Sequence, residues 1–238
     1  MEVMRIEIVE DYKELSKRLG TIILEELKKE GAIVLPSGDT PLGAYEYVLE
    51  EFKLNPFEIK ATIFGLDEWC GLDRDDEGSC QYYMHKYLFD KLPLKDGQVI
   101  EFNAKALDLK EECQKMNQVI EKVKNFNLVV LGIGMNGHLG LNEPGTSFEK
   151  NAQIVNLSQR TKEVAQKYFK NKQKLEKGIT LGIKNFLDAK KLILVAAGKK
   201  KKEIVKKIIE SDVSEEIPAT AAKLHNNSIL LMDRLCID

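Results

Sequence analysis

The chain has 238 residues, 43% hydrophobic and 31% charged, with 36 basic against 38 acidic side chains and a net charge of −2. That apolar content supports a substantial core and excludes disorder. The near-neutral balance provides no global attraction to nucleic acid or anionic membrane, so an anionic ligand must be held by a local site.

From the N-terminus, Met1–Arg5 carries no signal-peptide pattern. Residues 10–29 read as a helix, with Leu15, Leu19, Ile22, Ile23 and Leu27 on one face and Gly31 ending it. Residues 32–36 form a buried strand. Pro41, suited to a first helical turn, opens a helix to about residue 53. A strand follows over 61–66, a helix over 79–90, a strand near 98–102 and a helix near 107–124. Asn127–Ile133 is a strongly apolar strand that runs into a Gly-rich loop. Then come a strand at 153–157, a helix at 160–171, a strand at 191–197, a helix at 199–210 and a last strand at 228–232. Alternating strands and helices predict an α/β fold, one domain over 1–238, with a mostly parallel sheet covered on both faces. Ligands bind beyond the carboxyl ends of such strands.

Cys70, Cys80, Cys113 and Cys236 form no C-x-x-C pair, which speaks against a redox dithiol or a zinc ribbon. With three histidines and no paired spacing, no metal site is expected. No apolar run approaches the ~20 residues that span a bilayer. A soluble, cytoplasmic protein is the expectation.

The strand ends carry the chemistry. After the first strand, Ser37-Gly38-Asp39-Thr40-Pro41-Leu42-Gly43 turns straight into a helix. Its free N–H groups and the helix dipole suit an anion, with Thr40 as N-cap; a plain βα turn reads equally well. Asp39 is awkward beside a phosphate and has to point away. After the second strand comes Asp67-Glu68-Trp69. In an extended segment only one of the two carboxylates faces a ligand. A carboxylate beside apolar surface is a base near neutral pH, although the dipeptide alone reads more simply as a surface pair. Gly132-Ile133-Gly134-Met135-Asn136-Gly137 has G-x-G-x-x-G spacing, but His138-Leu139-Gly140-Leu141-Asn142-Glu143-Pro144-Gly145 follows where a dinucleotide loop opens a helix. This loop supplies His138, the best titratable candidate, and Glu143 to orient it. His85 and His225 read as structural or exposed. Lys199–Lys202 starts a helix, where lysines oppose the dipole unless an anion offsets them. At least one is expected to meet a phosphate.

Together these blocks resemble the glucosamine-6-phosphate deaminase family, including galactosamine-6-phosphate isomerases. The resemblance covers nearly the whole chain and also takes in Gly178–Ile183, Ile217-Pro218-Ala219 and Leu224-His225. It implies a Rossmann-like fold and an amino-sugar-6-phosphate deaminase that needs no cofactor or metal. Asp67 would carry a proton from C2 to C1 of the open-chain sugar, His138 would assist ring opening, and Glu143 would hold His138. Asn136 takes the third position of this relay, where Asn can hydrogen-bond but cannot take a proton. The phosphate would lie on Gly38, Asp39 and Thr40 with Lys167 and Lys201; Lys167 stands where Arg is common and lacks its two-pronged contact. The segment near 155–180 would act as a mobile lid. Trp69, Glu77-Gly78-Ser79-Cys80 and Gly178–Ile183 lean toward the galactosamine epimer. Asn151–Asn156 lacks the basic residues of the hexameric, allosteric members, so a monomer or small homo-oligomer without activation by an N-acetyl amino-sugar phosphate is expected. A 6-phosphogluconolactonase and a non-catalytic sugar-phosphate sensor are the alternatives; too few residues precede the first strand for a DNA-binding helix-turn-helix.

Overall fold

Strictly alternating side-chain direction along apolar strands divides this protein's core in two, one half on each face of a central sheet. The computed structural model describes residues 4–238; Met1–Val3, part of the stretch read as lacking a leader, lie outside the described residues. In chain order the elements are β1 (Arg5–Val9), α1 (Tyr12–Leu27), β2 (Ala32–Leu35), α2 (Asp39–Leu54), β3 (Thr62–Gly65), β4 (Asp67–Trp69), α3 (Cys80–Tyr87), β5 (Val99–Ile100), α4 (Leu109–Val123) and β6 (Phe126–Gly132). These are followed by β7 (Gln153–Asn156), α5 (Gln159–Ala165), β8 (Lys177–Thr180), α6 (Ile183–Leu187), β9 (Leu192–Ala196), α7 (Lys202–Glu210) and β10 (Ser228–Asp233).

Seven strands form one sheet in the order β1-β10-β9-β6-β2-β3-β5, with every pairing parallel. On one face Val34, Phe64, Val129, Leu131, Leu194 and Leu230 pack against α4, α6 and α7. On the other, Ile33, Ile63, Leu128, Val130, Ile193 and Leu231 pack against α1, α2 and α3. The apolar stripe predicted for α1 is the buried one, and Asp11 caps the helix by accepting from the Glu14 N–H at 2.9 Å. Strand order reverses between β2 and β6, which places the ligand-binding crevice over their carboxyl ends.

A second sheet, β4-β8-β7, is antiparallel and stands over that crevice. The strand expected at 153–157 belongs here and not to the parallel sheet. Trp69, Cys80, Leu141, Val155, Leu157, Ala165 and Leu175 form the small core beneath it. The expected helix at 160–171 is α5 plus a single 3-10 turn ending at Tyr168, after which the chain is extended. Strands β1, β4 and β8, helix α6 and the 3-10 turn Pro218–Leu224 were not predicted. The helix after β2 starts at Asp39, two residues before Pro41, and Gly38 is its N-cap without a side-chain bond. Thr40 therefore lies inside the first turn of α2 and is not the cap.

Candidate active site

The ends of β2, β3, β6 and β9, together with α5, enclose a cavity of about 580 Å³. Gly38, Asp39, Thr40, Asp67, Asn136, His138, Lys167 and Lys201 all line it, so eight of the nine residues predicted for the site meet around one space. Glu143 is the exception; it is buried behind His138.

Asp67 starts β4, where the backbone pairs with Thr180 of β8. Alternation sends its carboxyl into the cavity and sends Glu68 the opposite way. Burial pushes Asp67 up to about 7, against a smaller downward pull from a hydrogen bond with Cys80. A carboxyl poised there exchanges protons in both directions at neutral pH. Glu68 is fully buried and accepts from the backbone N–H groups of Trp69 at 2.7 Å, Cys80 at 3.0 Å and Gln81 at 2.8 Å. The surface-pair reading fails for this residue: Glu68 is an internal cap for the start of α3. Burial raises it to about 7 despite those three donors.

His138 is carried by the loop after β6. A Cβ at Gly134 would overlap the imidazole, so only glycine lets the ring fold back onto the strand end. Gly140, at φ +58, turns the chain beneath Asp67; a Cβ there would meet the Thr180 hydroxyl at 2.8 Å and Asp67 Oδ2 at 3.4 Å. Burial lowers the His138 pKa below the ordinary histidine value. Glu143 opposes this and Lys201 adds to it, so the ring is neutral at pH 7.

The predicted hold of Glu143 on His138 is not a direct hydrogen bond. Nδ1 lies 3.8 Å from Glu143 Oε2, beyond hydrogen-bonding distance. Asn136 Nδ2 donates to Glu143 Oε2 at 2.8 Å, and Asn136 Oδ1 accepts the His138 backbone N–H at 3.2 Å. Asn136 thus braces the loop and does not reach the ring. Burial pushes Glu143 up, but hydrogen bonds from Thr161, the Ser158 N–H and Asn136, with the nearby imidazole, bring it below the usual carboxylate range.

The other end of the cavity is basic. Lys201 reaches back to the carbonyl of Ile133, and burial, helped by nearby Lys167, lowers its pKa to about 8. Lys200 and Arg160 also line the wall. The expectation that Asp39 points away from this end is not met: its Oδ2 lies 2.5 Å from Lys167 Nζ. Of the other histidines, His225 is buried against the Ala189 carbonyl, and His85 sits between Asp90 and Glu101. Sequence reasoning missed Thr161, Cys80 and Tyr168 as cavity residues. For Thr161 a signal existed in Ser158-x-x-Thr161, the N-cap pattern that starts α5. Among the described residues, no group of three or more His, Cys, Asp or Glu is arranged to hold a metal ion, and no helix is long and apolar enough to cross a membrane.

Deaminases and lactonases are among the known proteins similar to this chain. Glucosamine-6-phosphate deaminases of Clostridium botulinum (strain Hall) and Thermoanaerobacter sp. (strain X514) are each 35% identical over 97% of this chain, covering 96% and 93% of their own lengths. The structure of a monomeric glucosamine-6-phosphate deaminase superposes with a TM-score of 0.94 at 33% identity, over 98% of both chains. The 6-phosphogluconolactonase of Trypanosoma brucei shares the fold, with a TM-score of 0.76 over 99% of this chain and 98% of its own, at 19% identity. A sequence model of the glucosamine-6-phosphate isomerases/6-phosphogluconolactonase family matches residues 10–231, and the chain belongs to that family, on its deaminase side.

Proposed function

We propose that this protein is an amino-sugar-6-phosphate deaminase that uses Asp67 as the proton carrier and His138 as the ring-opening residue. One observation carries the reading: a carboxyl raised to about 7 and a neutral imidazole share a cavity whose other end is cationic. The substrate phosphate lies on the turn Gly38-Asp39-Thr40 with Lys201 and Lys167, and this remote anchoring orients C1 and C2 for reaction. His138 takes the proton of the anomeric hydroxyl and returns it to the ring oxygen, breaking the C1–O5 bond and leaving an aldehyde. Asp67 takes the C2 proton while the substrate's ammonium gives up a proton and O1 gains one, giving an enolamine. Asp67 then delivers the proton to C1, leaving C2 as an iminium. Water adds to that carbon and ammonia leaves, giving a ketohexose 6-phosphate, so the reaction is a C–N hydrolysis coupled to isomerisation. Glu143 and Asn136 hold the loop that carries His138.

Glucosamine 6-phosphate, giving fructose 6-phosphate, is the first substrate we propose, because the relatives at 35% identity are named for it. Trp69 and Gly178–Ile183 keep galactosamine 6-phosphate, giving tagatose 6-phosphate, as the second. A monomer is the proposed state, by likeness to the monomeric deaminase structure. The four free cysteines are consistent with a cytoplasmic setting. Lactone hydrolysis requires no C2-to-C1 proton carrier, which leaves Asp67 without a role in that alternative.

The test is ammonia release from each amino-sugar phosphate separately, with Asp67→Asn as control. Release that the variant loses supports the deaminase, and the better substrate identifies the epimer. A folded protein that binds both sugars and releases nothing is a sensor or a lactonase, and hydrolysis of 6-phosphogluconolactone separates those two.

A further inference from the structure

Between Glu143 and the His138 ring stands a hydroxyl with no part in the proposed chemistry so far. Thr161 is buried, in the first turn of α5, and its Oγ1 lies 3.4 Å from His138 Nδ1. Ser158, the N-cap of α5, donates its own O–H to Thr161 Oγ1 at 3.0 Å and accepts the Thr161 N–H at 3.1 Å, while its backbone N–H donates to Glu143 Oε1 at 3.0 Å. These contacts bring Thr161, Ser158 and Glu143 together beside the His138 ring.

A hydroxyl has one proton and two lone pairs. Ser158 occupies one lone pair of Thr161. The Glu143 carboxylate, 3.8 Å from Nδ1, favours a proton on that nitrogen. What remains is the second lone pair, and Nδ1 of His138 is its partner. A lone pair accepts only from a protonated nitrogen, so Nδ1 carries the proton of the neutral ring and Nε2 keeps its lone pair. At 3.8 Å the carboxylate is out of hydrogen-bonding reach of Nδ1, which leaves Thr161 Oγ1, at 3.4 Å, as the acceptor. Asn136 is engaged with Glu143 and the loop backbone and does not reach the ring.

We propose that Thr161 is a positioning residue that sets the tautomer of His138, by accepting the Nδ1–H beside the Glu143 carboxylate. It leaves Nε2 as the nitrogen able to accept the anomeric proton. This rests on the deaminase reading for its purpose but not for its geometry, and the two are tested apart.

The experiment is the ¹⁵N spectrum of the imidazoles in the ligand-free protein near pH 8. The chain has three histidines and supplies its own reference. His225 accepts the Asn227 N–H on Nδ1 at 2.9 Å and faces the Ala189 carbonyl with Nε2 at 2.7 Å, which makes it an Nε2–H ring. His138 is expected to show the opposite pattern, with a protonated Nδ1. A wild-type spectrum in which His138 matches His225 overturns the proposal without any variant. Thr161→Val is expected to mix the two tautomers and lower kcat about 10- to 100-fold with KM within about threefold, and Thr161→Ser to restore both. An unchanged tautomer in Thr161→Val also overturns it. Loss of ammonia release in the wild type, with the Nδ1–H pattern intact, would strike the deaminase reading and leave the positioning role standing.

Discussion

Asp39 Oδ2 lies 2.5 Å from Lys167 Nζ, an ion pair that joins the first turn of α2 to the 3-10 turn after α5. The proposed phosphate competes with Asp39 for this ammonium. Both side chains are largely exposed, 64% and 48%, and such pairs contribute about 0–1 kcal/mol to stability. Asp39→Ser is expected to leave the melting temperature nearly unchanged and lower KM for the sugar phosphate roughly two- to fivefold. A KM that rises shows instead that Asp39 assists binding.

The pH profile of kcat/KM is expected to be a narrow bell. Asp67 must be ionised to take the C2 proton, so activity rises through about 7. Lys201 must be charged to hold phosphate, so activity falls through about 8 as its proton is lost. Lys201→Arg keeps the charge at any accessible pH and should remove the alkaline limb while retaining the acid one. An alkaline limb that persists in Lys201→Arg assigns it to another group.

Asp67→Asn should trade activity for stability. The carboxyl of the folded protein keeps its proton between the ordinary 3.8 and about 7, where an unfolded chain has lost it. Stability therefore falls as pH rises across that window. Asparagine carries no such penalty, so the variant is expected to be about 1–3 kcal/mol more stable than the wild type at pH 8 and no more stable at pH 4, with turnover reduced about 10²- to 10⁴-fold. Paired denaturation curves at the two pH values, beside the ammonia assay, check both halves.

Glu68→Gln tests the division of labour within the Asp-Glu pair. Oε1 accepts two backbone N–H groups and Oε2 accepts a third, from Gln81. A glutamine satisfies the first two and turns its own NH₂ toward the third. The expected cost is about 1–3 kcal/mol, seen as a lower melting temperature, with the acid limb of the pH profile unmoved. A moved limb would give Glu68 a share in the proton transfer.

The apolar strands and the polar residues at their ends were legible because burial and turn chemistry are local signals. The 61–66 and 127–133 runs, and the residues after them, led to Asp67 and His138 as cavity residues. The small sheet was not legible: β4 is three residues long, and its partner β8 lies more than a hundred positions away. Glu68 was misread for the same reason, because its donors at Cys80 and Gln81 come from a helix brought to it by tertiary packing. Pro41 misled by two residues, since proline tolerates any place in a first turn. Thr161 was hidden within a segment read as an ordinary helix, and only the fold puts it against the imidazole.

The antiparallel sheet has a mechanical consequence. Asp67, Thr180 and Gln153 stand in one cross-strand row, so the excursion that carries α5 leaves from a strand paired, through β8, with the strand of Asp67 and returns on that strand's direct partner. Hydrogen-bonded rungs resist sliding along the strands, so a movement of the excursion would be a pivot about this row and not a slide. Residues near its tip, around 170–174, should accept insertions of several amino acids. One added residue inside β8 would turn the whole rung over and exchange the Thr180 hydroxyl beneath Asp67 for its neighbour on the other face.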